Sequence, residues 1–172
     1  YNEASRLVDD GVDPAAIDRV ARATFAAPFG PLAVTNLTKV RIALHAQRNL
    51  SRLGAFYEPA RALAQLGDAD RAWTIADQPP ALDPERERQI ADRLRAAVFL
   101  PVLQLLDERI ADPAAVDLGA RIALRWDDPP CATMDRMGRE AVAALLRPLL
   151  ERYRVAAPVS LDRVGTLLAR PS

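Results

Sequence analysis

The residues of this sequence that could do chemistry are few and stand apart from one another. His45 is the only histidine, and a histidine can act as a general base near neutral pH. No nearby carboxylate or nucleophile supports that role, so a structural or surface residue is the better interpretation. Cys131 is the only cysteine and could begin a helix, a position that favours a reactive thiolate. A small buried apolar side chain is the more common role for such a cysteine.

Metal, phosphate and DNA sites also lack a recognisable pattern. There is no cluster of Cys and His and no acidic ladder around a central glycine, so Asp127-Asp128 is interpreted as a solvated turn. Neither a glycine-rich dinucleotide turn nor a P-loop occurs. The arginines between residues 136 and 154 could face DNA, but interleaved acids and a formal net charge of +0 favour a solvated helix face. We therefore expect no catalytic, cofactor-binding or metal-binding residue in this chain.

An internal repeat organises the elements that carry these residues. Asp-Pro-Ala-Ala-Ile-Asp at residues 13–18 returns as Asp-Pro-Ala-Ala-Val-Asp at residues 112–117, an offset of 99 residues. At this same offset, without a gap, Leu7 falls on Leu106. A solenoid would need more and shorter repeats. The repeat therefore predicts two similar helical subdomains, packed as a pseudo-symmetric pair.

Composition predicts an all-α protein, because Ala, Leu and Arg dominate and β-branched residues seldom cluster. With 172 residues the chain can form two small units, which we place at residues 1–82 and 83–172. Half of the residues are apolar and 27% are charged, as in ordinary soluble proteins. No apolar run approaches the ~18 residues of a membrane span, no signal peptide opens the chain, and one cysteine excludes an intrachain disulfide. A cytoplasmic location fits best.

Cap and breaker residues divide the chain into helices. Asp-Pro pairs at residues 13, 83 and 112 should each open one, because aspartate caps free backbone N–H groups and proline has no N–H to lose. Gly11 and Gly67 should end helices, and the Pro-rich bend at residues 28–31 must break one. The predicted helices are 1–10, 14 to the bend, 33 or 35 to 53, 58–66, 84–110, 113–124, 132–153 and 161–169.

Four further side chains have predicted local roles. Pro101 should kink the longest helix, and Pro148 should bend or split the helix that contains it. Trp73 should pin the loop before residue 84 to the core. Ser160 should cap the last helix.

Short segments of the first copy follow one another in an order and spacing typical of one enzyme family, although no single segment is specific. The segments are Asn2-Glu3-Ala4 with Leu7, Asp10-Gly11-Val12, Ile17-Asp18 and Pro28-Phe29-Gly30-Pro31-Leu32. Over roughly residues 1 to 53 the chain resembles the C-terminal domain of L-3-hydroxyacyl-CoA dehydrogenases, whose signature includes Pro-x-Gly-Pro. The resemblance implies the all-α fold of the 6-phosphogluconate/3-hydroxyacyl-CoA dehydrogenase C-terminal domain, with two similar helical repeats.

Each copy keeps a different part of that signature. The second copy has Asp135 and Gly138, which are similar to the family's Asp-x-x-Gly after the proline bend, and extends the resemblance weakly to about residue 165. The first copy has Asn36, Lys39 and Arg41 where the family would have Asp, Gly and Asp. These departures put in question whether the first copy makes the family's usual contacts.

The resemblance implies that the machinery of the parent enzyme lies outside this chain. The family's NAD-binding Rossmann domain, its catalytic His and Glu and its active-site Asn would all precede Tyr1. Because the chain begins without Met, we expect a fragment that binds no cofactor and is inactive alone. In the parent, NAD would be the cofactor and 3-hydroxyacyl-CoA of fatty-acid β-oxidation or a related pathway the substrate.

The resemblance also implies partners. In the family this domain closes one side of the acyl-CoA cleft and forms the subunit interface, or mimics that interface when doubled. The expected partner is the Rossmann domain of the same polypeptide, with no nucleic acid or membrane partner and a monomeric pseudo-dimer rather than a homodimer. The candidate cleft or domain-interface residues are Pro28, Phe29, Gly30 and Pro31, together with the apolar side of the first helix.

Two alternatives stay open from the sequence. A non-enzymatic helical interaction or scaffold module is compatible with the composition. A helical DNA-binding regulator fits less well, because a neutral chain with proline-rich bends suits a helix-turn-helix poorly.

Overall fold

Helices are the regular secondary structure of residues 1–169, the part that the computed structural model describes. Within it the α-helices are α1 (Asn2–Asp9), α2 (Pro14–Phe25), α3 (Pro31–Thr38), α4 (Val40–Leu50), α5 (Arg61–Asp68), α6 (Pro84–Asp107), α7 (Pro113–Ala123), α8 (Pro130–Met137) and α9 (Arg139–Tyr153). Short 3-10 helices lie at Ser51–Leu53, Ala55–Tyr57 and Val159–Arg163. No strand occurs in this range, and the predicted all-α class is confirmed.

The chain forms two compact units. The first contains residues 1–23 and 29–91, and the second contains residues 24–28 and 92–172. The divisions fall inside α2 and α6, so each of these helices contributes to both units. The sequence domains at 1–82 and 83–172 stay a prediction.

The predicted helix openings are confirmed. An oxygen of Asp13 accepts a hydrogen bond from the backbone N–H of Ala15 at 2.8 Å, at the start of α2. Asp83 caps α6 at 2.9 Å and Asp112 caps α7 at 2.8 Å in the same way. In each helix the first residue is a proline, which has no N–H that needs a partner.

Two predicted long helices are each divided in two, so those predictions were wrong. The chain forms α3 and α4 in place of helix 33–53, with Lys39 between them at φ 75°. It forms α8 and α9 in place of helix 132–153, with Gly138 between them at φ 81°. All four helices nevertheless bury apolar side chains, among them Leu32 and Val40 in the first pair and Met134 and Val142 in the second.

The core of the first unit includes aliphatic side chains from α1 to α5, namely Leu7, Ile17, Leu32, Leu44 and Leu63. Helix α5 packs against α1 and α4. Gly67 does not end α5 as predicted but lies inside it, where a Cβ would come 2.7 Å from Cδ2 of Leu44. The glycine therefore lets α5 approach α4 closely.

The second unit has a core of its own, which includes Leu103, Met134, Val142 and Leu146. Pro148 lies inside an unbroken α9, so it does not split that helix. Pro101 lies inside α6, and the kink there stays a prediction. The predicted helix 161–169 is wrong: the chain forms only the short 3-10 helix, and the Ser160 hydroxyl donates to the Leu103 carbonyl at 2.8 Å.

The repeat is visible in the hydrogen bonds, with one residue inserted. At the end of α1 the Val12 N–H donates to the Leu7 carbonyl, and at the end of α6 the Ile110 N–H donates to the Leu105 carbonyl, both at 3.0 Å. These pairs are offset by 98 residues, whereas the caps that follow are offset by 99. Leu7 therefore corresponds to Leu105, not to Leu106 as the gapless comparison predicted.

Candidate functional site

The candidate bend lies where α2 ends and α3 begins. Pro28 and Phe29 are exposed, Gly30 is buried, and Pro31 is the first residue of α3. The side chain of Phe29 is 53% exposed although it is large and apolar. The bend thus combines a buried residue, Gly30, with a neighbouring apolar side chain, Phe29, that faces solvent.

A buried carboxylate on α2 anchors this bend. The two oxygens of Asp18 accept hydrogen bonds from the backbone N–H groups of Leu32 at 2.9 Å and Ala33 at 2.8 Å. Both groups belong to the first turn of α3, where helical N–H groups have no partner within the helix. Burial raises the pKa of Asp18, although the two N–H donors and the neighbouring Arg22 act in the opposite direction. Since both oxygens already bind the backbone, the role of Asp18 is structural.

Gly30 is required by the approach of this carboxylate. A Cβ at position 30 would lie 2.2 Å from Cγ of Asp18, far closer than real contacts. The backbone of Gly30 is extended, with φ −79°, a conformation open to any residue. The requirement for glycine is therefore one of space.

The second unit repeats the anchor. The oxygens of Asp117 accept hydrogen bonds from the N–H groups of Cys131 at 2.8 Å and Ala132 at 2.9 Å. Pro129, at the position of Gly30, has nearly the same backbone dihedrals, φ −74° and ψ 157° against −79° and 162°. Because proline has a Cβ, the lack of space for a side chain at Gly30 is particular to the first unit. The carboxylate cap is thus a property of the repeated unit. Sequence analysis missed it, although the repeated six-residue segment ends on these same aspartates.

Comparison with known families gives a match over the first part of the chain. Residues 1–78 match the family model described as 3-hydroxyacyl-CoA dehydrogenase, C-terminal domain. The curated proteins and solved structures that we compared gave no match to the chain.

The first unit keeps its architecture at Asn36, a position where the signature of the matched family has Asp. The Asn36 side chain donates to the Trp73 carbonyl at 3.0 Å and accepts from the Trp73 N–H at 2.8 Å. The indole N–H of Trp73 donates to the Thr35 hydroxyl at 3.0 Å, and the ring is buried. Trp73 therefore pins its loop to the core, as predicted. An amide can make this two-way contact and a carboxylate cannot, because a carboxylate only accepts.

The second unit has the family's Asp at the equivalent position, and it binds a different backbone pattern. One oxygen of Asp135 accepts from the N–H groups of Gly165 at 2.8 Å and Leu167 at 3.0 Å, and the other accepts from Leu168 at 3.0 Å. Every partner of Asp135 is a donor, which suits a carboxylate. The departure at Asn36 is thus matched by a local change of partner.

The remaining chemically capable side chains do not form a site at the bend. His45 is exposed on α4, and Arg41 forms an exposed ion pair with Asp70 at 3.4 Å. Cys131 is fully buried in the second unit, and burial raises the pKa of its thiol. Among residues 1–169 no group of His, Cys, Asp and Glu side chains could hold a metal ion, and no helix of that range is long and apolar enough to cross a membrane.

An exposed apolar face lies beside the anchor in the first unit. We call it the Phe29–Leu37 face; it consists of Phe29 with Val34 and Leu37 of α3, and Leu37 is 71% exposed. In the second unit the positions of Phe29 and Leu37 carry Asp128 and Arg136, which form an ion pair at 2.7 Å. This contact indicates that positions 29 and 37 of the first unit are also neighbours. The apolar side of the first helix, in contrast, is buried in the core.

Proposed function

We propose that this chain is the C-terminal part of an NAD-dependent 3-hydroxyacyl-CoA dehydrogenase that acts in fatty-acid β-oxidation or a related acyl-CoA pathway. The family match of residues 1–78 is the observation that carries the proposal. In this proposal a Rossmann domain of the same polypeptide supplies the NAD site and the catalytic residues. The chain described here forms one side of the acyl-CoA cleft.

The Phe29–Leu37 face is the surface that we propose for docking the Rossmann domain. An exposed cluster of large apolar side chains is costly in water and commonly marks an interaction site. The repeat provides an internal comparison, because the same two positions hold an exposed ion pair in the second unit. Asp128 and Arg136 are charged, so their exposure to solvent needs no further explanation. Phe29 and Leu37 are large and apolar, so we propose that a partner covers them.

The second unit supports a role for the doubled chain as a pseudo-dimer. It repeats the Asp18 anchor at Asp117 with the same two contacts, yet it lacks the exposed apolar pair of the bend. We propose that it takes the place that a second subunit occupies in undoubled members of the family.

The described residues also support the proposal that the chain has no dehydrogenase activity alone. The buried aspartates are occupied by backbone N–H groups. His45 is exposed and Cys131 is a buried thiol whose ionisation is disfavoured. None of these is placed as a general base in a cleft.

The first test compares the chain with the longer protein that the proposal requires, in which further coding sequence precedes Tyr1. The chain alone should give no heat of NAD binding in calorimetry and no NAD reduction with a 3-hydroxyacyl-CoA. The longer protein should do both. NAD binding by the chain alone, or a preceding coding sequence without a Gly-x-Gly-x-x-Gly strand-turn-helix, would contradict the proposal and favour a scaffold module.

The second test transfers the polar pair of the second unit onto the docking face. In the longer protein, Phe29→Asp with Leu37→Arg should lower kcat/KM for 3-hydroxyacyl-CoA by about tenfold or more, since about 1.4 kcal/mol of docking energy corresponds to tenfold. Val159→Ser, which changes another exposed apolar residue, should leave it unchanged. Full activity of the double variant would exclude this face as the docking surface.

A further inference from the structure

An apolar stripe on α7 is the most exposed apolar helix face of the second unit. It consists of Leu118 and Ile122 on successive turns, with Ile110 just before the helix, and these side chains are 56%, 71% and 64% exposed. Ala114 and Ala115 lie on the same side and are exposed too. Residues at spacings of three and four share one helix face. Within α7 the stripe is therefore continuous over about two turns.

The repeat shows that this face is particular to the second unit. The position of Leu118 is held in α2 by Arg19, which forms an ion pair with Glu87 at 2.7 Å. The position of Ile122 is held by Ala23. Polar or small residues are thus compatible with the repeated fold at both positions. Leu118 and Ile122 are large, apolar and exposed, so they do not contribute to the core of the second unit.

Small residues of α7 would allow a partner helix to come close. Gly119 lies inside α7, and a Cβ added there would meet nothing within 4 Å. Glycine in a helix interior costs about 0.5–1 kcal/mol relative to alanine, and neither a close neighbour nor a positive φ explains it here. Close helix–helix approach is a known use of such positions. This glycine indicates that the partner is itself a helix.

The charges at the two ends of the stripe decide which helix fits. Glu108 and Asp112 are exposed before α7 with Arg109 between them, which leaves that end with a net charge of −1. Arg121 and Arg125 are exposed in the last turn of α7 and just after it, and with the exposed Asp127 that follows they give the other end a net charge of +1. None of these charged side chains forms an ion pair within residues 1–169. A second α7 laid antiparallel brings the acidic end of each helix beside the basic end of the other, and it also opposes the helix dipoles. A parallel arrangement would place like charges together.

We infer that the α7 stripe is a homodimer contact, in which α7 of one chain packs antiparallel against α7 of a second copy. Such a contact is isologous, so one stripe supplies both sides of the interface. The helical part of the stripe, residues 114–122, is only about 12 Å long at 1.5 Å per helical residue. We therefore expect a weak dimer, with a dissociation constant on the order of 10–100 µM. The repeat by itself predicted a monomeric pseudo-dimer, and this inference does not depend on the proposed function.

Sedimentation velocity and light scattering of the 172-residue chain over a concentration series test the inference. The unmodified chain and Val159→Ser should dimerise alike. Leu118→Ser with Ile122→Ser should remain monomeric, and Arg121→Glu with Arg125→Glu should weaken association at least tenfold. Because these side chains are exposed, circular dichroism should be unchanged. A chain that is monomeric at several hundred µM (about ten times the expected constant), or a dimer that the Ser variants leave intact, would overturn the inference.

Hydrogen exchange of the unmodified chain gives a second readout that needs no variant. Amides of residues 113–123 should exchange more slowly as the concentration rises through the dimerisation range. Amides of α4, which lies in the other unit, serve as the internal control. Exchange of α7 that is independent of concentration would count against the dimer even if some association were seen.

Discussion

Lys39 holds the backbone conformation that Gly138 holds 99 residues later in the chain. The dihedrals are φ 75° and ψ 123° at Lys39, and φ 81° and ψ 158° at Gly138. This region is strained for residues with a Cβ and is readily adopted by glycine. Both residues separate the two helices that follow the bend, so the break is kept in the first unit despite its cost.

Lys39→Gly should therefore raise the stability of the chain. Removing the Cβ relieves strain of the order of 1–3 kcal/mol, and the greater entropy of glycine in the unfolded chain offsets part of it. We expect a net gain of about 1 kcal/mol in the free energy of unfolding, measured with urea. The matched change in the other unit, Gly138→Ala, should cost about 1–2 kcal/mol. A Lys39→Gly variant less stable than the parent would show that the lysine side chain outweighs its backbone strain.

The paired anchors at Asp18 and Asp117 predict matched losses of stability. Asp18→Ala and Asp117→Ala each leave two N–H groups at a helix start without an acceptor, at a cost of about 1–3 kcal/mol. Asp77→Ala, in an exposed loop, should change stability by less than about 0.5 kcal/mol. Thermal and urea unfolding of the three variants measure this. If the anchor variants unfold like the control, the carboxylate caps contribute nothing to the stability of the fold.

Asp18 also predicts a dependence of stability on pH. Burial raises its pKa in the folded chain, so the native state takes up this proton more readily than the unfolded chain does. Asp18 adds least to the stability of the folded chain when its carboxyl is ionised, at pH values above the folded-state pKa. Its contribution becomes more favourable as pH falls through that pKa, and the gain is complete below the ordinary aspartate value of about 3.9.

Two measurements check this direction. Carbon-detected NMR titration of the Asp18 carboxyl should give a pKa above the ordinary value. The difference in unfolding free energy between the unmodified chain and Asp18→Asn should shift in favour of the unmodified chain as pH falls, because asparagine does not titrate. A carboxyl pKa at or below the ordinary value would mean that the two N–H donors outweigh desolvation.

The sequence predicted those features whose causes lie within a few residues. Asp13 caps residues two and three positions on, so the Asp-Pro pattern sufficed to place the start of α2. The break at Lys39 could not be predicted, because lysine gives no signal of a positive φ and the tertiary fold imposes it. The roles of Asp18 and Asp117 were missed for a related reason: their partners lie 14 and 15 residues away, and only the folded bend brings them together.

The sequence likewise predicted only part of the candidate site. The order of short motifs identified the family of the first copy, and the family match over residues 1–78 confirms it. The neighbouring positions of Phe29 and Leu37 became apparent only from the ion pair at the equivalent positions of the second unit. Phe29 and Leu37 lie eight residues apart, one before and one after the start of α3. No pattern in the sequence predicts that two residues so placed are neighbours.

Two helical glycines predict opposite effects of the same substitution. Gly67→Ala places a Cβ 2.7 Å from Cδ2 and 2.8 Å from Cβ of Leu44, so α5 must move away from α4. We expect a loss of about 1–3 kcal/mol, because overpacking outweighs the gain in helix propensity. Gly119→Ala meets nothing within 4 Å, and it should gain about 0.5–1 kcal/mol at concentrations where the chain is monomeric. Urea unfolding of both variants measures the contrast, and a stabilising Gly67→Ala would refute the view that this glycine sets the distance between α4 and α5.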